Sequence, residues 1–157
     1  MKITFLTVGK TEDAYLKDGI EKYVKRLKHY TRLELIDLPE LKNTKALTPE
    51  QQKTREAEII LKKIVATDHV ILLDENGMEF TSKKFATYLD KKNISAMASL
   101  VFIIGGPYGF DETVYQRAND KMSLSRMTFS HQMVRLFFIE QLYRAFTIIK
   151  GEPYHHE

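Results

Sequence analysis

Apolar positions along the chain switch repeatedly between a spacing of two and a spacing of three to four, the pattern of strands alternating with helices. Ile3 to Val8 alternates as a strand, and Gly9-Lys10 separates it from a helix over about Glu12 to His29. Tyr15, Leu16, Ile20, Tyr23, Val24 and Leu27 form the apolar side of that helix. A second strand is predicted at Leu33 to Leu38, and a polar connection then leads to Thr48-Pro49. There Thr48 can cap and Pro49 can occupy the first turn of a helix carrying Ala57, Ile60, Leu61, Ile64 and Val65. Val70 to Leu73 predicts a third strand, ended by Asp74-Glu75-Asn76-Gly77, where Asn-Gly is a turn signal. Ser82 opens a short helix through Phe85, Ala86 and Leu89. Ser99 to Ile104 is a nearly continuous apolar run suited to a central parallel strand. After it come Gly105-Gly106-Pro107-Tyr108-Gly109-Phe110 and Asp111, which can cap the next helix. A short element over Met122 to Phe129 precedes a long helix from about His131 to Lys150, stopped by Gly151 and Pro153. The order predicts an α/β fold, a mostly parallel sheet flanked by helices.

At 157 residues the chain has the length of one domain, expected over 1–157. With 43% hydrophobic and 29% charged residues it has the make-up of a folded globular protein and not of a disordered one. No apolar stretch approaches the roughly 20 residues that cross a bilayer, so no membrane partner is expected. Met1 leads directly into a strand pattern without a signal core, which points to the cytoplasm. The absence of cysteine excludes thiolate ligands and cysteine nucleophiles. The net charge is only +3, but its distribution is uneven. Eight bases (Lys2, Lys10, Lys17, Lys22, Lys25, Arg26, Lys28, Arg32) face four acids (Glu12, Asp13, Asp18, Glu21) in the first 32 residues. A phosphate-facing patch and a solvated helix face with Asp18-Lys22 and Glu21-Lys25 pairs both fit that stretch.

The glycine-rich loop stands at the carboxyl end of a strand, where open α/β sheets bind ligands. It lacks the Gly-Lys-Ser/Thr of a Walker loop and does not follow the first strand as a dinucleotide fingerprint would. Its spacing alone fits a phosphate cradle, a flat ligand against the main chain, or a plain turn. In the last helix His131 and Arg135 are four apart, as are Glu140 and Arg144, the spacing of an ordinary helix ion pair. Apolar residues cover much of that helix's circumference, which predicts burial against more than one neighbour, with dimerisation supplying the second. Tyr154-His155-His156 is an unusual composition for a tail meant only to be solvated. No further His or carboxylate stands at ligand spacing, so no metal is expected.

Several ordered blocks together resemble the RlmH family, SPOUT-class methyltransferases acting on ribosomal RNA. They are Leu73-Asp74-x-x-Gly77, Phe102-Ile103-Ile104-Gly105-Gly106-x-x-Gly109, Ser123 to Arg135 with its Leu124-Ser125-x-Met127-Thr128-Phe129 core, Glu140 to Ala145, and Pro153-Tyr154-His155-His156. Val8-Gly9-Lys10 extends the resemblance to nearly the full length. It implies a deep trefoil knot near the C-terminus, which the usual rule against threaded chains would not predict. It implies a homodimer, with S-adenosylmethionine as methyl donor and no metal, held by Leu73, Gly105, Leu124, Ser125, Arg126, Met127, Thr128 and Phe129. The reaction implied is methylation of N3 of a pseudouridine in 23S rRNA, within the large subunit or the whole ribosome. Arg144, Tyr154 and His155 are implied as positioning or proton-handling groups. The ordinary pKa of histidine favours His155 as proton acceptor, with His131 as runner-up. Ser130 replaces the proline usual before the histidine and would cap the helix instead of rigidifying its start. A methyltransferase of the same class acting on another RNA, such as tRNA, and a non-enzymatic ribosome-associated binding module are the alternatives.

Overall fold

A computed structural model describes residues 1–156; Glu157 lies outside them. Five strands, β1 (Lys2–Val8), β2 (Arg32–Leu38), β3 (His69–Glu79), β4 (Ser99–Ile104) and β5 (Asp120–Ser123), form one sheet in the order β2-β1-β4-β3-β5. Every pairing is parallel. The connections carry α1 (Ala14–Leu27), α2 (Pro49–Lys63), α3 (Ser82–Ile94) and α4 (Glu112–Arg117), and α5 (Met133–Ile149) ends the fold. Among the described residues no helix is long and apolar enough to cross a membrane.

Alternation along the central strands sorts the core into two layers. Ile3 and Phe5 of β1 with Leu100, Phe102 and Ile104 of β4 face α1, α3 and α5, where Phe138 packs on Phe5 and Phe102. Leu6, Val8, Val101 and Ile103 face Ala57 and Ile60 of α2 and Val114 of α4. β4 is the middle strand and is buried on both sides, as its apolar run predicts. The Thr48-Pro49 signal also holds. Thr48 accepts from Gln51 N at 3.1 Å while Gln51 Oε1 accepts from Thr48 N at 2.9 Å, a reciprocal cap on α2.

Three expectations need correction. β3 does not end at Leu73: its ladder with β5 is interrupted and resumes, so that Met122 faces both Leu73 and Met78. Asp74 to Gly77 is therefore a bulge inside one long strand. The Asn-Gly turn signal acts there, with Asn76 N donating to Asp74 at 2.8 Å, but pairing to β5 recaptures the chain. The element expected over Met122 to Phe129 is the end of β5 followed by an irregular loop, pinned by Ser123 to Ser125 O and by Met127 N to Ser125 Oγ. Finally, α5 finds its second neighbour within the chain, since it packs against both α1 and α3, with Phe138, Ile139, Leu142 and Ala145 fully covered. What stays open on and beside α5 is narrower: Phe129, Met133 and Phe137 at 37–39% exposure.

Candidate active site

The bulge of β3 and the carboxyl ends of β4 and β5 open onto a cavity of about 370 Å³. One wall is the glycine loop after β4, in which Gly109 N donates to Gly106 O at 3.2 Å. Asp111 accepts from Thr113 N at 3.1 Å and starts α4, as its position predicts. A Cβ at Gly105 would lie 3.0 Å from the Phe110 ring and 3.3 Å from Gly109 O, and one at Gly106 would lie 2.7 Å from both Glu56 carboxylate oxygens. The loop's own packing thus demands small residues there, in addition to any ligand's approach. The opposite wall is the irregular loop after β5. Ser130 Oγ accepts from Met133 N at 3.0 Å and so caps the first turn before α5.

Leu73, Gly105, Leu124, Ser125, Met127, Thr128 and Phe129 all line this cavity. Arg126 does not; it lies exposed and pairs with Glu79 at 2.8 Å. His131 also reaches the cavity wall. Among the described residues two carboxylates, Asp74 and Glu75, line the cavity, and no Lys or Arg does. Such a lining repels phosphate and favours a ligand that carries positive charge.

A second cluster forms around the tail. Glu140 Oε1 accepts from Arg144 at 2.5 Å and from the Tyr154 hydroxyl at 2.9 Å. Arg144 also lies over the Tyr154 ring at 4.8 Å and contacts His155 Nδ1 at 3.2 Å. A guanidinium only donates, so Nδ1 accepts and the neutral imidazole carries its proton on Nε2. Burial and the hydrogen bonds to Tyr23 and Glu140 push the Tyr154 phenol well above its ordinary value, so it stays protonated. The ion pair with Glu140 raises Arg144 further. The cluster is therefore a set of donors around one carboxylate, and the Nδ1 lone pair of His155 is already engaged.

Arg144, Tyr154 and His155 meet one another, but none of them lines the cavity. At 1.5 Å per residue Arg144 lies about 15 Å along α5 from Val134, which does. Glu140 lies between, at a smaller cavity of about 260 Å³ that shares Met122, Ser123, Leu124 and Phe129 with the first. The basic N-terminal stretch adjoins the tail. Tyr23 OH lies 3.3 Å from Tyr154 OH, and Arg26 sits over both Tyr23 and Tyr143 at 5.5 and 5.4 Å. On α1 the Glu21-Lys25 pair forms at 3.1 Å, while Lys22 lies over the Tyr23 ring at 5.8 Å.

Three further residues at or beside the site take no role from the sequence: Arg135 and Gln132 fall inside the Ser123 to Arg135 block, and Glu56 lies outside every motif. Arg135, 1% exposed, donates to Val8 O and Gly9 O at 2.9 Å each and to His131 O at 3.2 Å, which ties the end of β1 to the start of α5. Gln132 clamps the same turn, donating to Lys10 O and accepting from Glu12 N. Glu56, 6% exposed, sits beneath the glycine loop. Its only trace in the sequence is a charge one helical turn before Ile60 on the buried side of α2.

A family profile described as "Predicted SPOUT methyltransferase" matches residues 1–155. The chain belongs to the SPOUT methyltransferases. It is 54% identical to "Ribosomal RNA large subunit methyltransferase H" of Parabacteroides distasonis over 157 residues, all of both chains. The relative of the same name from Cytophaga hutchinsonii is 56% identical over 156 residues, 99% of this chain and 100% of the other. In fold, the crystal structure of a "Probable Methyltransferase" from Bordetella pertussis Tohama I superposes with a TM-score of 0.52, covering 92% of this chain and 95% of that one at 8% identity. SPOUT methyltransferases use S-adenosylmethionine, and the cavity fits that donor. Apolar Leu124, Met127 and Phe129 can enclose an adenine, the strand ends expose main chain, and Asp74 and Glu75 supply negative charge toward a sulfonium and an ammonium. The trefoil knot is what membership of this family implies.

Proposed function

We propose that this SPOUT methyltransferase acts in the cytoplasm on 23S rRNA, methylating N3 of a pseudouridine in the assembled large subunit or whole ribosome. The observation that supports it most directly is the cation-free, carboxylate-bearing cavity at the strand ends, in a chain more than half identical over its length to proteins named for large-subunit rRNA methylation. When bound, S-adenosylmethionine supplies an electrophilic methyl group. The chain's own task is to hold the base and make its imide nitrogen nucleophilic. Loss of the N3 proton spreads negative charge onto the two flanking carbonyl oxygens. Arg144 and the protonated Tyr154 are donors suited to that charge. His155 becomes a proton acceptor only when its Nδ1 leaves Arg144.

The distance along α5 between cavity and tail supports a homodimer in which Arg144, Tyr154 and His155 of one subunit complete the partner's cavity. Phe129, Met133 and Phe137, exposed beside the cavity and joined by the Phe129–Phe137 ring contact at 5.1 Å, are the apolar surface for that pairing. The deciding experiment is tritium transfer from labelled S-adenosylmethionine to large subunits, whole ribosomes and free RNA, with the modified base mapped. Label on tRNA, or equal transfer to free stem-loop RNA and ribosomes, overturns the substrate assignment. For the trans arrangement, Gly105→Val and His155→Ala chains carrying different tags are co-refolded and the heterodimer is purified. Each homodimer is expected to be inactive and the heterodimer active; a heterodimer at background overturns it.

A further inference from the structure

Glu56 is a buried carboxylate with no place in the site described so far. It lies on α2, whose neighbouring residues Ala57 and Ile60 belong to the core, and it is itself only 6% exposed. An ionised group in such surroundings is costly unless its oxygens are hydrogen-bonded. One oxygen is: Gln52 Nε2 donates at 3.2 Å from one turn earlier, and the backbone of Gly106, in the loop after β4, lies directly against the carboxylate, its N–H lowering the group's pKa. Burial pushes the carboxyl up, while those two donors and nearby His131 oppose the rise. The contact leaves no slack, since a single Cβ on Gly106 would lie 2.7 Å from both carboxylate oxygens. Phe110 anchors the loop's far end in the core, while between Gly105 and Gly109 its internal closure is the Gly109 N to Gly106 O bond at 3.2 Å. Backbone donors in a loop outside any ladder need an acceptor, and a carboxylate reaching up from the helix below is a strong one.

We infer that Glu56 is a positioning residue for the methyl-donor site: by accepting the Gly106 N–H it fixes the Gly105 to Gly109 wall in the shape that receives the donor. The inference rests on the reading of this cavity as the S-adenosylmethionine site. Glu56 does not line the cavity and acts through the loop alone. Glu56→Gln keeps an acceptor oxygen for Gly106, and Gln52 can turn its amide to meet the new NH₂, so the glutamine variant preserves the hold. Glu56→Ala removes it.

The test is calorimetric binding of S-adenosylhomocysteine, the stable product, by the full chain, alongside thermal melting of the ligand-free protein. With a charge-assisted hydrogen bond lost, E56A should bind about tenfold to a hundredfold more weakly, and E56Q within about threefold of the parent. G106A should weaken binding in the parent and add little in the E56A background, because the clash it creates is with the side chain already removed. If E56A does not fold, G106A alone and with E56D carries the same logic: the shorter carboxylate should recover binding. Parent-like affinity in E56A, an E56Q variant as weak as E56A, additive effects in the cycle, or no recovery by E56D would each overturn the inference. Absence of binding by the parent chain would instead remove the reading of the cavity itself.

Discussion

Arg135→Met tests how far one buried side chain holds the site together. The guanidinium, 1% exposed, donates to Val8 O and Gly9 O at 2.9 Å, to His131 O at 3.2 Å and to Thr11 Oγ1 at 3.4 Å. Methionine is shorter but close in volume and flexible, so the change leaves little cavity and isolates the polar loss. The bonds to Val8 O and Gly9 O are buried, and losing them costs about 1–3 kcal/mol each, the Gly9 carbonyl keeping only a long contact from Thr7 Oγ1 at 3.4 Å. Against this, removing a charge relieves the burial that draws the arginine's pKa down, although Asp37, Glu40 and Glu12 lose a compensating cation. A net loss of about 3 kcal/mol is a large share of the roughly 5–15 kcal/mol that stabilises a domain. It corresponds to a melting temperature lower by about 6–12 °C for a chain of this size. Urea unfolding followed by far-UV circular dichroism measures it, with Arg135→Lys retaining about half the loss because a point-like ammonium cannot span the two carbonyls. A loss below about 1 kcal/mol in Arg135→Met would refute the claim that this arginine fastens β1 to α5.

Further outcomes follow from other contacts. Gly77→Ala would place a Cβ 2.5 Å from Met122 N, backbone against side chain with no room to yield, and should cost about 1–3 kcal/mol in denaturant unfolding. Tyr88, Tyr115 and Tyr154 are held above the ordinary tyrosine value of 10.0 by burial and by acceptors that include Asp120, Asp74 and Glu140, and Tyr30 is pushed up to about 12 by Glu152. Because their folded values are raised, the stability they contribute is whole below pH 10 and is lost as pH climbs toward those values. Alkaline melting should show that decline, less steeply in Tyr88→Phe, and equal slopes in the two proteins would contradict it. Phe137→Asp, on a ring 39% exposed, should leave the fold intact and shift the chain to a monomer in sedimentation without methyl transfer. An active dimer would place the subunit contact elsewhere.

The local signals in the sequence carry through to the structure. The apolar run of β4 becomes the central strand, Thr48 and Gln51 form their reciprocal cap, and Asp111 starts α4. The motif blocks bring seven of the eight expected donor-site residues to one cavity. The strand, the cap and the helix start depend on neighbours within a few residues of one another, where periodicity and capping act, whereas the meeting of Leu73, Gly105 and the Leu124 to Phe129 loop is expected only through the family resemblance. What lay beyond the sequence depends on contacts between distant segments. The β3 bulge exists because Met78 and Glu79 find β5 more than 40 residues later, overriding a turn signal that is locally sound. Nothing near Glu56 indicates that a glycine loop 50 residues further on will rest on its carboxylate, nor near Tyr23 that the tail will meet its hydroxyl across 131 positions. The apolar girdle of α5 is legible as buried surface. Only the packing shows that α1 and α3 cover most of it and that Phe129, Met133 and Phe137 are left over, because hydrophobicity records that a face avoids water and not which surface covers it.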